Sequence, residues 1–87
     1  MPRRTTAAIR ALRKSPEHLA LLADLGARLR DLRERKGWTQ EQAAERIDIT
    51  PRHLQRIEAG AVDLSLLTLH RCCAVYGADL RALFVSG

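Results

Sequence analysis

Apolar residues in this chain recur at intervals of three and four, the spacing of one helix face, and no segment shows the one-by-one alternation of a half-buried strand. The longest stripe is Leu19, Leu22, Leu25, Leu29 and Leu32. Ser15-Pro16-Glu17 precedes it, with a helix-capping serine, a proline at the first helical position and an acid in the first turn. Lys36-Gly37 ends it with a basic last turn and a glycine stop. Either one long helix or two with a bend near Gly26 satisfies the pattern.

The next start is Trp38-Thr39-Gln40-Glu41-Gln42, where Thr39 and Gln42 have capping-box spacing and Trp38 is placed to staple onto Ala43. Ala43, Ala44 and Ile47 are its inner face, small enough for another helix to approach closely. Asp48 interrupts, and Ile49-Thr50-Pro51 repeats the start signal, with Ile49 able to staple onto Leu54. This helix stops at Ala59-Gly60. Two short helices so closely joined have the spacing of a helix-turn-helix, from about Thr39 to Gly60.

A further helix is expected from Ser65 to Tyr76, apolar at Leu66, Leu69, Cys73 and Tyr76 and closed by Gly77. Asp79 can cap a last short helix carrying Leu80, Leu83 and Phe84. At the other end, Thr5 to Lys14 can form a short helix, marginal by itself, with Ala8, Ile9 and Leu12 opposite most of its basic residues. The pattern is therefore all-α, and 87 residues suit one compact domain, residues 17–87, behind an N-terminal arm, residues 1–16. Trp38, Tyr76 and Phe84 are the only aromatics, so the core is built from Leu, Ile and Ala.

Charge separates arm from domain. Arg3, Arg4, Arg10, Arg13 and Lys14 give the arm five basic residues and no acid, whereas basic and acidic residues balance after Pro16, so the arm carries the whole net +5. Such a stretch attracts phosphate without regard to sequence, or else is a solvated tail. Adjacent Cys72 and Cys73 do not suit a stapling disulfide, and no segment has the form of a signal peptide or membrane span; a reduced, cytoplasmic protein is expected. The Arg-rich start shares its composition with a mitochondrial transit peptide, an alternative set below the cytoplasmic reading.

On the helix after Thr50, a rotation of ~100° per residue puts Pro51, Arg52, Gln55, Arg56 and Ala59 opposite Leu54 and Ile57. Arg pairs with guanine O6 and N7, Gln with adenine N6 and N7, and Ala permits close approach to a groove. A solvated polar face is the plainer alternative. What favours base reading is that this is the second helix of a tight pair, its N-terminal dipole end suited to phosphate.

The run Leu25-Gly26-Ala27-Arg28-Leu29-Arg30, Arg33, Trp38-Thr39-Gln40, Ala44, Ile49-Thr50, Leu54, Ile57-Glu58-Ala59-Gly60, Ser65 and Leu69 resembles the lambda-repressor and Cro-like helix-turn-helix family, also called the xenobiotic-response-element family. The resemblance covers about Leu25 to Phe84. It implies a five-helix domain, here with an N-terminal helical extension, whose third domain helix, Thr50 to Ala59, enters the major groove. It implies that Gln40 binds a backbone phosphate and that Thr50, Arg52, Gln55 and Arg56 face bases or nearby phosphates. Arg33 and Glu58 match a salt bridge bracing the first helix against the third. His53, at the edge of the recognition helix, is a minor phosphate contact or a packed side chain, and Arg3 and Arg4 are backbone contacts from the arm.

Two departures stand out. Relatives usually have glycine where Asp48 stands, a residue that tolerates the left-handed conformation at some cost. Ala61 to Leu67 lacks the basic or amide side chains that many relatives aim at the DNA backbone, a loss the arm can offset.

His70, Cys72 and Cys73 share metal-ligand chemistry on one helix, but inner-face cysteines need no metal and no second ligand pair is visible; no metal or cofactor is expected. His18 is expected at the surface. With no phosphate loop, nucleophile elbow or carboxylate pair, enzyme activity is not expected. The function expected is a bacterial or phage transcriptional regulator, a repressor binding a palindromic operator in double-stranded DNA as a homodimer. Its dimer patch would be Leu80, Leu83, Phe84 and Val85, or the N-terminal helix. The alternative is a protein-interaction module such as a toxin-neutralising antitoxin.

Overall fold

The computed structural model describes residues 6–84. Five α-helices follow one another: α1 (Thr6–Leu12), α2 (Pro16–Arg35), α3 (Gln40–Ile47), α4 (Pro51–Glu58) and α5 (Leu66–Tyr76), and a 3-10 helix, Leu80–Phe84, comes last. Among the described residues there is no strand, and the all-α expectation holds. Helices α2 to α5 and the 3-10 helix make the five-helix domain, and α1 is the extension.

Local capping chemistry sets most helix starts. Ser15, Thr39, Thr50 and Ser65 have extended backbone, and each side chain accepts the backbone N–H three residues on. These bonds satisfy donors that a helix start leaves unpaired. At α3 the capping box is complete: Gln42 N–H donates to Thr39 Oγ1 at 3.1 Å, and Thr39 N–H to Gln42 Oε1 at 2.9 Å. Asp79 Oδ1 accepts from Arg81 N–H at 3.0 Å ahead of the 3-10 helix.

Helix α2 is continuous, so the alternative of a bend at Gly26 is set aside. The glycine is there for a different reason. A Cβ at Gly26 would stand 2.4 Å from the carbonyl oxygen of Ile57 and 2.7 Å from that of Glu58. The end of α4 thus lies directly on the backbone of α2. One turn earlier Ala23 meets Gly60, which has φ +69° and whose added Cβ would fall 2.9 Å from the Ala23 Cα.

Leu25, Leu29, Ala43, Ala44, Ile47, Leu54, Ile57, Leu69, Cys72, Cys73, Tyr76 and Leu83 form one core. Leu19 and Leu66, on the expected inner stripes, are exposed instead. Leu19 is exposed, because the first turns of α2 project beyond the crossing at Ala23 and Gly60. Leu66 is 65% exposed, because it opens α5 ahead of the turns that meet the core, and Cys72 joins Leu69, Cys73 and Tyr76 on the buried face. Helix α1, which ends at Leu12 and not at the expected Lys14, buries no side chain; its end tightens into bonds from the N–H groups of Arg13, Lys14 and Ser15 to carbonyls three residues back.

Candidate nucleic-acid interface

Helix α4 divides cleanly. Leu54, Ile57 and Glu58 are buried, and Arg52, Gln55, Arg56 and the capping residue Ala59 are exposed. Thr50 is exposed; its Oγ1 accepts from His53 N–H at 3.0 Å, and His53 itself is half-buried. Beside this face a concave surface runs from the start of α3 across α4, lined by Thr39, Gln40, Glu41, Pro51, Arg52 and Gln55. It continues to Arg30, Arg33, Glu58 and Ala59. Gln40, Arg52 and Gln55 thus share one groove, and Arg56 stands on the same exposed side of α4. Arg3 and Arg4 lie outside the described residues.

Behind the groove, Glu58 is the acceptor for three donors. Arg33 Nε reaches its Oε2 at 2.8 Å, and Arg33 Nη2 and Gln40 Nε2 reach its Oε1 at 3.0 and 3.1 Å. Arg33 Nη1 donates to the Trp38 carbonyl at 2.8 Å, so one guanidinium joins α2, α4 and the linker before α3. Hydrogen bonding to Glu58 holds the Arg33 pKa above its ordinary value against the opposing effect of burial. The Gln40 amide gives one N–H to Glu58 and keeps a second N–H and its carbonyl oxygen for other partners.

The turn between α3 and α4 holds Asp48 at φ 63° and ψ 49°, in the left-handed region. Arg71 of α5 donates to the backbone carbonyls of Ile47 and Asp48 at this point. Arg46 lies 4.4 Å over the Trp38 ring, whose centroid is 6.1 Å from that of Tyr76. Sequence reasoning overlooked Arg71 and Arg46. No local pattern marks Arg71, whose partners lie 23 and 24 residues away; a basic residue late in a helix stapled by tryptophan was a signal for Arg46.

Elsewhere, His70 is exposed and Cys72 and Cys73 are fully buried, so the three do not converge on a common site. His18 is half-buried and its Nε2 contacts Asp63 Oδ1.

The profile described as "Helix-turn-helix domain" matches residues 24–84, the stretch that supplies the core and the groove. The chain belongs to the helix-turn-helix domain family. It is a DNA-binding domain of the kind carried by transcriptional regulators, in the lambda-repressor and Cro-like group, and the family is not an enzymatic one. The HTH-type transcriptional regulator RamB of Mycobacterium tuberculosis is 34% identical over 55 residues, 63% of this chain and 12% of that protein. The chain therefore spans only a small part of the curated relatives it matches.

The solved structures that resemble the domain include two regulators. The clp gene regulator ClgR from Corynebacterium glutamicum matches with a TM-score of 0.70 and 33% identity, covering 74% of this chain and 83% of that one. The restriction-modification controller protein C.AhdI from Aeromonas hydrophila matches with a TM-score of 0.72 and 31% identity, covering 77% and 97%. No helix among the described residues is long and apolar enough to cross a membrane.

Proposed function

We propose that this helix-turn-helix domain belongs to a cytoplasmic bacterial or phage transcriptional repressor that binds a palindromic operator in double-stranded DNA as a homodimer. The observation that carries the reading is the division of α4, whose inner face is locked into the core while Arg52, Gln55 and Arg56 stand exposed beside the groove holding Gln40. Arg and Gln on a firmly seated helix suit guanine and adenine edges. Gln40 and Thr50, at the starts of α3 and α4, and His53 suit backbone phosphates, with Arg3 and Arg4 adding contacts from the arm.

Leu66 and Leu67, 65% and 69% exposed at the start of α5, support a dimer. They replace the C-terminal patch as its centre, since Leu83 is in the core and Leu80 is half-buried, leaving Phe84 exposed while Val85 lies outside the described residues. Two-fold pairing would present two recognition helices to half-sites ~34 Å apart.

Selection of bound fragments from random DNA tests the reading. It should return a two-fold-symmetric site, and Arg52→Ala or Arg56→Ala should each weaken binding to it by about 1 to 3 kcal/mol without loss of folding. If both variants keep full affinity, the base-reading assignment is wrong. If no DNA sequence is enriched, the protein-interaction alternative, such as a toxin-neutralising antitoxin, gains.

A further inference from the structure

Arg71 projects from the second turn of α5 to the place where α3 ends. Its Nη2 donates to the carbonyl oxygen of Ile47, the last residue of α3, at 2.5 Å, and to that of Asp48 at 3.0 Å. The Asp48 carboxylate is 3.8 Å away and almost wholly exposed, so its charge adds little to the two carbonyl bonds. A helix end leaves its last carbonyls without partners, and a cation there satisfies them and meets the negative end of the helix dipole. Asp48 is the only non-glycine residue with positive φ among the described residues. An L-residue resists this conformation, and one that holds it depends on its surroundings to keep it there.

The geometry points to Arg71 as a positioning residue for DNA recognition, a clamp that holds the α3–α4 turn closed around Asp48 and so fixes the direction of α4. The inference rests on the proposed reading of α4 as the base-reading helix. An eight-residue helix is about 12 Å long, so a swing of about 10° at the turn moves its far end by about 2 Å. That displacement exceeds the whole span of good hydrogen-bond distances, so base pairing by Arg52, Gln55 and Arg56 would not survive it.

The clamp and the residue it restrains should be coupled. Glycine adopts positive φ without the steric cost, so Asp48→Gly should make the clamp dispensable. The experiment compares the wild type, R71M, D48G and R71M/D48G, with R71Q and R71Q/D48G as the second series should R71M not fold. Methionine keeps much of the apolar stem and removes the donors. Two quantities are measured: affinity for the selected operator across a salt series, and hydrogen exchange of the Ile49 amide without DNA, whose bond to the Ala44 carbonyl, 3.0 Å, closes the turn.

The expected result is a loss of about tenfold or more in operator affinity for R71M with the salt slope unchanged, the scale of one lost charge-assisted hydrogen bond. Ile49 should exchange about tenfold faster, with core amides such as Leu29 unmoved. D48G alone should bind like the wild type, and R71M/D48G should return to within about threefold of it. A merely structural role would give no recovery in the double variant and would speed exchange at Leu29 and Ile49 alike. R71M with wild-type affinity and exchange, or a double variant no better than R71M, overturns the clamp. If the wild type selects no DNA, the functional reading fails, and exchange at Ile49 alone then decides for or against the clamp.

Discussion

Glu58 grips Arg33 with both carboxylate oxygens, at 2.8 and 3.0 Å, in a site where Arg33 is 9% exposed and Glu58 equally so. Desolvating two charges is costly, and the pair is held because its other hydrogen-bonding groups are satisfied too: Arg33 also bonds the Trp38 carbonyl, and Gln40 also bonds Glu58. Removing one partner strands the other. Glu58→Ala and Arg33→Met should each destabilise the fold by about 3 to 5 kcal/mol in chemical denaturation. Arg33→Met combined with Glu58→Leu should cost less than either alone, because no buried charge is left unpaired. A double variant as unstable as the sum of the singles would show that packing, not charge pairing, dominates.

Gly26 and Gly37 separate two reasons for a glycine. At Gly26 an added methyl meets two backbone carbonyls of α4, which cannot move aside without displacing that helix. At Gly37 nothing lies within 4 Å, but φ is +74°. Gly26→Ala should therefore cost about 3 kcal/mol, as overpacking does, and weaken operator binding as well. Gly37→Ala should cost about 1 kcal/mol from backbone strain and leave binding at low temperature intact. Equal effects at the two positions would contradict the close crossing of α2 and α4.

The helix starts were legible because each signal lies within four residues: Ser15, Thr39, Thr50 and Ser65 cap as their neighbours imply. The outer face of α4 followed from rotation alone, since Leu54 and Ile57 define its inner side. Leu19 and Leu66 misled because they keep the helical spacing but fall outside the core contacts, a property of where helices cross and not of the helix itself. Gly26 was visible as a helix irregularity, yet its meaning depended on Ile57, 31 positions away in sequence. Arg71 was invisible for the same reason, its acceptors being backbone carbonyls that any residue possesses.

Asp63, in the loop after α4, takes Arg13 Nε of the arm at 3.4 Å on one oxygen and His18 Nε2, from the start of α2, on the other. Arg13 and Asp63 are exposed, and α1 buries no side chain, so this link contributes little to stability. Deleting residues 1–14 should shift unfolding by less than about 1 kcal/mol. It should still flatten the salt dependence of operator binding, by a slope of about 0.9 for each phosphate the arm no longer neutralises, with sequence preference unchanged. Affinity measured from low to high salt decides it, and an unaltered slope would make the arm a solvated tail.

Burial gives the core an alkaline limit. The Cys72 thiol, fully buried behind the α3–α4 pair, has its pKa pushed up from 9.0 to about 11, chiefly by desolvation and next by neighbouring Cys73. Burial raises the Cys73 thiol and the Tyr76 hydroxyl as well. Each group is an acid whose neutral form the fold prefers, so between the unfolded and folded pKa the native state holds the proton more tightly than the unfolded chain does. Stability from Cys72 is thus fully present below about pH 9 and is lost as pH rises toward 11, by on the order of 2 kcal/mol. Thermal unfolding followed from pH 7 to 11 should show a falling Tm above about pH 9. Cys72→Ala, less stable at neutral pH because of the small cavity it opens, should fall less steeply over the same range. Parallel curves for the two proteins would mean that the Cys72 thiol does not set the alkaline limit.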